Sequence, residues 1–211
     1  MIPKTIVQTS RNNPQQYVVD MIRELSPEWS YLHFTDDEVI KFFIENPLPE
    51  FPDVINKFYS FSYGEHRADL FRYYFLFVKG GVYFDTDAMI EENMDKIAKN
   101  YDYFSVNSSY VPNSIFQGFI GCVPGHAIIH KALTDIYNTS NNHFLRTPEN
   151  FHDLCKNMYT FVLEYPDKSN IYLYQEIYGD NITANVIDPQ ENNKVVLKHY
   201  HIEKIIPKKS S

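Results

Sequence analysis

Ser62 to Ile90 reads SYGEHRADLFRYYFLFVKGGVYFDTDAMI, and this stretch decides the fold. Glu65 to Lys79 has the composition of a helix. Gly80-Gly81 supplies a C-terminal stop, because glycine accepts the left-handed backbone that closes many helices. Val82-Tyr83-Phe84 then reads as a strand, and Asp85-Thr86-Asp87 sits where that strand ends. In open α/β sheets ligands bind outside the carboxyl ends of strands. The Asp-x-Asp is therefore placed where chemistry is expected.

Upstream, Ile2 to Gln8 reads as a short buried strand, Pro14 to Leu25 as a helix and Tyr31 to Phe34 as a second strand. Thr35-Asp36-Asp37-Glu38 opens the helix DEVIKFFIEN, with Glu38 at the capping-box position. This strand–helix–strand–helix order predicts an α/β fold with a mostly parallel central sheet and crossover helices. Downstream, Tyr103 to Asn107 and Phe116 to Gly121 are expected as strands, and His126 to Tyr137 and Asn150 to Glu164 as helices. Asn185 to Ile187 and Lys194 to His201 are expected as late strands. The tail PKKSS is polar, the pattern of a frayed end, or of the cut end where 1–211 is the N-terminal part of a longer protein.

The 211 residues fit one domain, 1–211, and 44% are hydrophobic, enough to form a core. A formal net charge of −8 with no dense Lys/Arg run argues against nucleic-acid binding. Cys122 and Cys155 have no zinc-site spacing. The N-terminus carries no apolar signal region, and FRYYFLFV is too short to span a bilayer. The expected location is cytoplasmic.

Residues two apart on an extended segment point to the same side, so Asp85 and Asp87 can face one hard cation. Mg²⁺ and Mn²⁺ prefer such oxygen ligands and share their shells with phosphate oxygens. An isolated Asp-x-Asp is weak evidence, since capping carboxylates in a loop give the same pattern. The preceding helix adds weight. Asp69 and Arg72 lie i, i+3 on one face, on a helix whose Leu70, Phe71, Tyr74, Phe75 and Phe77 imply wide burial. A buried Asp and Arg need partners, and sugar hydroxyls and phosphate oxygens suit them.

RADLFRYYFLFVKGGVYFDTD resembles the signature of the glycosyltransferase sugar-binding regions that contain a DXD motif. Initiating α-1,6-mannosyltransferases and the glucosylating domains of clostridial toxins are members of that group. Asp69, Arg72, Gly80, Gly81, Tyr83, Asp85 and Asp87 match the pattern in order and spacing. IPKTIVQTS is similar to the opening strand of these proteins and departs from it at Val7 and Ser10. GFIGCVPGHAII and VVLKHYHIEKI resemble later segments less closely. The compact chain also resembles glycosyltransferase domains of large DNA viruses of algae, those of chlorella viruses among them.

The resemblance implies a GT-A fold, Rossmann-like and nucleotide-sugar-binding. It implies a retaining glycosyltransferase that moves a hexose or deoxyhexose to a glycan or glycoprotein acceptor, with UDP-sugars favoured as donors. It implies Mn²⁺, or Mg²⁺, as cofactor. Asp87 would bind the metal directly, Asp85 would bind it through water or hold the ribose, and His199 or His201 would complete the metal or diphosphate site. Asp69 and Arg72 would grip donor hydroxyls, with Tyr83 beside them. Ile6, Val7, Gln8 and Thr9 would line the base and ribose pocket through backbone groups, and Gln117 would stand near an Asn position of the relatives. The catalytic set is thus Asp69, Arg72, Asp85 and Asp87. Two rival readings fit parts of the pattern: a haloacid-dehalogenase-type phosphatase with Asp85 as nucleophile, and a sugar-nucleotide-binding module without transfer. The first expects its motif on the opening strand, whereas here two strands precede it.

Overall fold

The computed structural model describes residues 1–140, 150–178 and 183–200. His201 and the PKKSS tail lie outside the described residues. The chain begins β1 (Thr5–Thr9), α1 (Gln16–Leu25), β2 (Ser30–Phe34), α2 (Asp36–Glu45). Thr35 donates its backbone N–H to Glu38 at 2.8 Å, as the capping-box pattern requires. α3 (Val54–Ser60), α4 (Gly64–Lys79), β3 (Gly81–Phe84) and β4 (Ala88–Ile90) follow. The remainder is α5 (Met94–Ala98), β5 (Tyr103–Asn107), β6 (Ile115–Cys122), α6 (Ala127–Asn138), α7 (Asp153–Glu164), β7 (Ile171–Tyr178), β8 (Thr183–Asp188) and β9 (Lys194–Tyr200). Among these, α3, β4, α5 and β7 were not anticipated.

The strands form one sheet in the order β2-β1-β3-β6-β5-β7-β8-β9-β4. The α/β class expected from the sequence holds. Parallel pairing is confined to β2-β1-β3 and β5-β7, and the other pairs are antiparallel. The sheet is therefore mixed rather than mostly parallel. The physical reason is that β7, β8 and β9 are joined by short connections, which can only reverse the chain. No helix among the described residues is long and apolar enough to cross a membrane.

Two cores sandwich the sheet. Val7, Tyr83, Ile120 and Cys122 face α2, α3, α4, α6 and α7, whereas Ile6, Val82, Phe84 and Phe119 face α1 and α5. Successive side chains of β1 and β3 thus alternate between cores, which is why both strands read as unbroken apolar runs. α4 is buried on most sides, with Leu70, Phe71, Tyr73, Tyr74, Phe75 and Leu76 inaccessible. Gly80 closes it at φ 66°, and Gly81 continues at φ 104°. A Cβ on Gly81 would lie 2.6 Å from Thr5 O, so the glycine pair both ends the helix and seats β3 against β1.

Candidate active site

The carboxyl ends of β1, β3, β5 and β7 open on a cavity of about 1100 Å³. Thr9, Asp85, Ser108, Glu176 and Tyr178 reach it from those ends, and His66, Asp69 and Arg72 reach it from α4. β6 runs the other way, so its amino end delivers Phe116, Gln117 and Gly118 to the same space.

Arg72 is the hub. Its side chain is only 5% exposed. Nη1 donates to Gln117 O and lies 3.5 Å from Asp69 Oδ1. Nη2 is 3.2 Å from Asp85 Oδ1 and 3.4 Å from the Tyr83 hydroxyl. The guanidinium also stacks over the Tyr83 ring, 4.3 Å from its centroid, a cation–π arrangement. Burial works against the charge, yet Tyr83, Asp85 and Asp69 together keep Arg72 protonated more firmly than free arginine. Burial keeps the Tyr83 phenol neutral, and it donates to Asp85 Oδ1 at 3.0 Å.

Asp85 and Asp87 are anchored through their backbones by different strands. Asp85 N–H donates to Gly118 O at 3.1 Å, and Asp87 O accepts from Tyr200 N–H at 2.9 Å. Gln8, buried behind β3, donates Nε2 to Asp85 O at 3.1 Å and accepts from the Tyr31 hydroxyl at 2.7 Å. β9 pairs with β4 so that His199 stands opposite Ala88, which brings His199 Nε2 to 3.3 Å from Asp87 Oδ1. Asp85, Asp87 and His199 each offer a ligand atom, all within 4.8 Å of one another. Asp87 Oδ1 is buried with the His199 imidazole 3.3 Å away, so cationic neighbours, a protonated His199 or a bound metal, offset the cost of its burial. Burial, then the neighbouring Asp87, pushes the Asp85 carboxyl up against the pull of Arg72. Burial opposes charge on His199, but Asp87 and Asp85 raise its basicity above that of ordinary imidazole.

Asp69, Arg72, Tyr83, Asp85, Asp87, Gln117, Thr9 and His199 are therefore gathered on one cavity wall. Gln117 accepts from Tyr73 OH at 2.7 Å, while its buried amide nitrogen has no partner. Ile6 and Val7 are fully buried in opposite cores, and Gln8 supports Asp85 from behind. These three stand off the cavity wall. Sequence reasoning did not reach Gly118, Phe116, Ser108, Tyr110, Glu176 or Tyr178. Gly118 leaves a mark only in its residue type, since a Cβ there would lie 2.4 Å from Asp85 Oδ2 across the β3–β6 pairing. The others depend on long-range pairing that no local pattern shows.

Comparison with known proteins follows the same residues. A family model described as "Glycosyltransferase sugar-binding region containing DXD motif" matches residues 12–104. Mannosyl phosphorylinositol ceramide synthase CSH1 of Saccharomyces cerevisiae is 31% identical over 149 residues, which is 69% of this chain and 38% of that protein. The initiation-specific alpha-1,6-mannosyltransferase of the same yeast is 34% identical over 90 residues, 43% of this chain and 17% of that protein. The match to CSH1 thus spans about two-fifths of that relative's length. Among solved structures, one titled PaToxG Glycosyltransferase superimposes with a TM-score of 0.50 at 14% identity, over 77% of this chain and 69% of that one. At that identity the likeness is one of fold.

Proposed function

We infer a metal-dependent, retaining hexosyltransferase from the match of residues 12–104 to the family of glycosyltransferase sugar-binding regions containing a DXD motif. The donor in this reading is a nucleotide diphosphate sugar, UDP-linked by preference, and the acceptor is a glycan or glycoprotein. Glucose is the default sugar and a deoxyhexose stays open. Mannose joins the candidates because the similar yeast proteins are named for mannosyl transfer, and with it a GDP-linked donor.

The observation that carries the reading is the convergence of Asp85, Asp87 and His199 within 4.8 Å on the cavity that also holds Asp69 and Arg72. The two carboxylates suit Mn²⁺ or Mg²⁺, and the imidazole of His199, 3.3 Å from Asp87 Oδ1, is a ligand that favours the transition metal Mn²⁺ over Mg²⁺. A cation held by these three side chains supplies charge neutralisation for a departing diphosphate.

The chain's own residues do the rest. Arg72 spends its Nη groups inside the protein, on Asp69, Asp85, Tyr83 and Gln117 O. Its role is to orient the two carboxylates rather than to grip the donor alone. Asp69, on the cavity wall, is left to accept donor hydroxyls. Thr9, at the open end of β1, borders the space for base and ribose. In the transfer itself the bond from the anomeric carbon to the phosphate oxygen breaks and the bond to the acceptor oxygen forms on the same face. The acceptor proton ends on the departing phosphate oxygen, so no protein base is required.

A thermal-shift panel of UDP-glucose, UDP-galactose, GDP-mannose and a deoxyhexose donor, each with and without Mn²⁺, tests this. A ligand that binds only the folded state at 100 times its Kd stabilises by about 2.7 kcal/mol. One donor should shift the melting temperature only when Mn²⁺ is present, and Asp87→Ala should abolish that shift in a folded protein. A panel without any metal-dependent shift would overturn the proposal.

A further inference from the structure

Tyr172, Tyr174, Glu176 and Tyr178 alternate onto one face of β7. The first two sink into the core, where the Tyr174 hydroxyl donates to Ile97 O. Glu176 and Tyr178 emerge at the carboxyl end of the strand and line the cavity that holds Asp85 and Asp87. Glu176 is 3% exposed. The Ser108 hydroxyl at 2.7 Å and the Ser109 N–H at 3.0 Å both donate to its Oε2. A carboxylate offers about four acceptor positions, so a Glu176 fixed by these two donors retains capacity for hydroxyls that enter the cavity.

Above it stands an aromatic platform. Tyr110, after β5, lies 5.7 Å from Tyr178 with the rings inclined by 30° and 5.9 Å from His152. Tyr110 is 65% exposed and Tyr178 38%, so this stacked pair presents ring surface to the cavity mouth. Exposed aromatic faces beside a fixed, buried carboxylate match a ligand that is apolar on its ring face and hydroxylated at its edge. A pyranose has that character. The neighbouring carboxylates of Asp69, Asp85, Asp87 and Glu176 disfavour an anionic ring, because like charges brought together are costly.

We propose that Tyr110, Tyr178 and Glu176 form the acceptor subsite, and that it takes an uncharged pyranose stacked on the tyrosines with a hydroxyl on Glu176. The inference rests on the transferase reading and gives that reading a second substrate position. Glu176 here binds and orients the acceptor; it takes no proton.

Saturation-transfer NMR tests the subsite. The probes are methyl α-D-mannopyranoside, methyl α-D-glucopyranoside and methyl β-D-galactopyranoside, with myo-inositol 1-phosphate as the anionic ring. Each is measured with and without UDP and Mg²⁺. At least one methyl glycoside should receive saturation at its ring C–H protons. Tyr110→Ala and Tyr178→Ala should each weaken its binding by about two- to tenfold, and Glu176→Gln by a comparable factor. Melting temperatures check that all three variants are folded. Absence of glycoside binding in both conditions, equal binding by the folded variants, or preference for the inositol phosphate would overturn the proposal. Separate calorimetry of UDP with Mg²⁺ on the wild-type protein distinguishes the two readings. A protein that binds neither UDP nor, in a parallel titration, GDP loses the donor reading, while the glycoside spectra without nucleotide still decide the subsite.

Discussion

Gly118→Ala is expected to disable the metal site while leaving the protein folded. The new Cβ would stand 2.4 Å from Asp85 Oδ2 and 2.3 Å from Phe116 Cζ, against a practical limit of 3.0 Å. The carboxylate oxygen must therefore retreat by at least about 0.6 Å. It cannot swing freely, because Arg72 and Tyr83 hold Oδ1 and Gly118 O holds the Asp85 N–H. Phe116 must also move, and its ring packs 4.8 Å from His199, so two of the three candidate ligands are disturbed together. A misplacement of about 1 Å in an active site can cost on the order of 10²-fold, so a shift of this size should cost roughly tenfold or more in Mn²⁺–UDP affinity. Overpacking itself should cost about 1–3 kcal/mol of stability. Gly121→Ala is the control. Its Cβ would strike only the Phe104 ring among its nearest neighbours, at 2.2 Å, on the same strand but away from the carboxylates. Calorimetry with Mn²⁺ and UDP, paired with urea unfolding, separates the two effects. Wild-type affinity in folded Gly118→Ala, or an equal loss of affinity in Gly121→Ala, would refute the reasoning.

Arg72→Met should lower stability by roughly 3–5 kcal/mol in urea unfolding, because it removes the guanidinium that Asp69 and Asp85 share and leaves those carboxylates only histidine neighbours; a change below about 1 kcal/mol would show that water replaces the guanidinium. Mn²⁺ affinity should fall as pH drops, since the raised Asp85 carboxyl and the raised His199 imidazole must both give up protons to bind metal. His199→Asn should bind Mn²⁺ more weakly and make that pH dependence shallower in calorimetry, and an unchanged slope would remove His199 from the ligand set. The bond from Lys194, then that from the Asn93 N–H, outweighs burial and pulls Glu92 from 4.5 to about 2. A depressed carboxyl stabilises above its unfolded value and loses that contribution as pH falls through the folded one. Glu92→Gln should therefore flatten the decline in stability between pH 4.5 and about 2, read from urea midpoints across that range.

What could be read from the sequence was local. The helix ending at Gly80 and the strand that follows were legible because glycine at positive φ and a doubly buried apolar run leave strong marks. Strand alternation predicted that Asp85 and Asp87 face one side, but Thr86 and Asp87 lie in a turn closed by the Ala88 N–H on Asp85 O, so their approach has a cause that the alternation argument did not contain. The placement of Ile6 and Val7 was not. A central strand commits its backbone to both neighbours and its side chains to both cores, so only its carboxyl end, at Thr9, stays open to a ligand. His199 was visible only as one of two histidines on a strand face. The Ala88–His199 register selects it, and that pairing spans more than half the chain. Glu176 and Tyr178 were hidden for a related reason. IYLYQEIY alternates like any half-buried strand, and nothing in it says that β7 pairs with β5 and so ends beside Asp85.

The position of the Asp-x-Asp segment in the strand order explains why the site depends on such distant parts. β3 is third in the sheet and β4 is last, yet only Asp85, Thr86 and Asp87 separate them. Those three residues bridge regions of the sheet that its curl brings together. Asp85 hangs from β6 through Gly118, and Asp87 hangs from β9 through Tyr200. The spacing of the carboxylates is thus set by two strands far apart in the sheet rather than by the turn that contains them. His199 arrives on β9, among the last described residues, so the ligand set is complete only when the β7–β8–β9 ladder has closed back onto β4. A cation held there would tie β3, β4 and β9 together. Its binding energy would oppose separation of the sheet's two ends, and so would stabilise the whole folded chain rather than one loop.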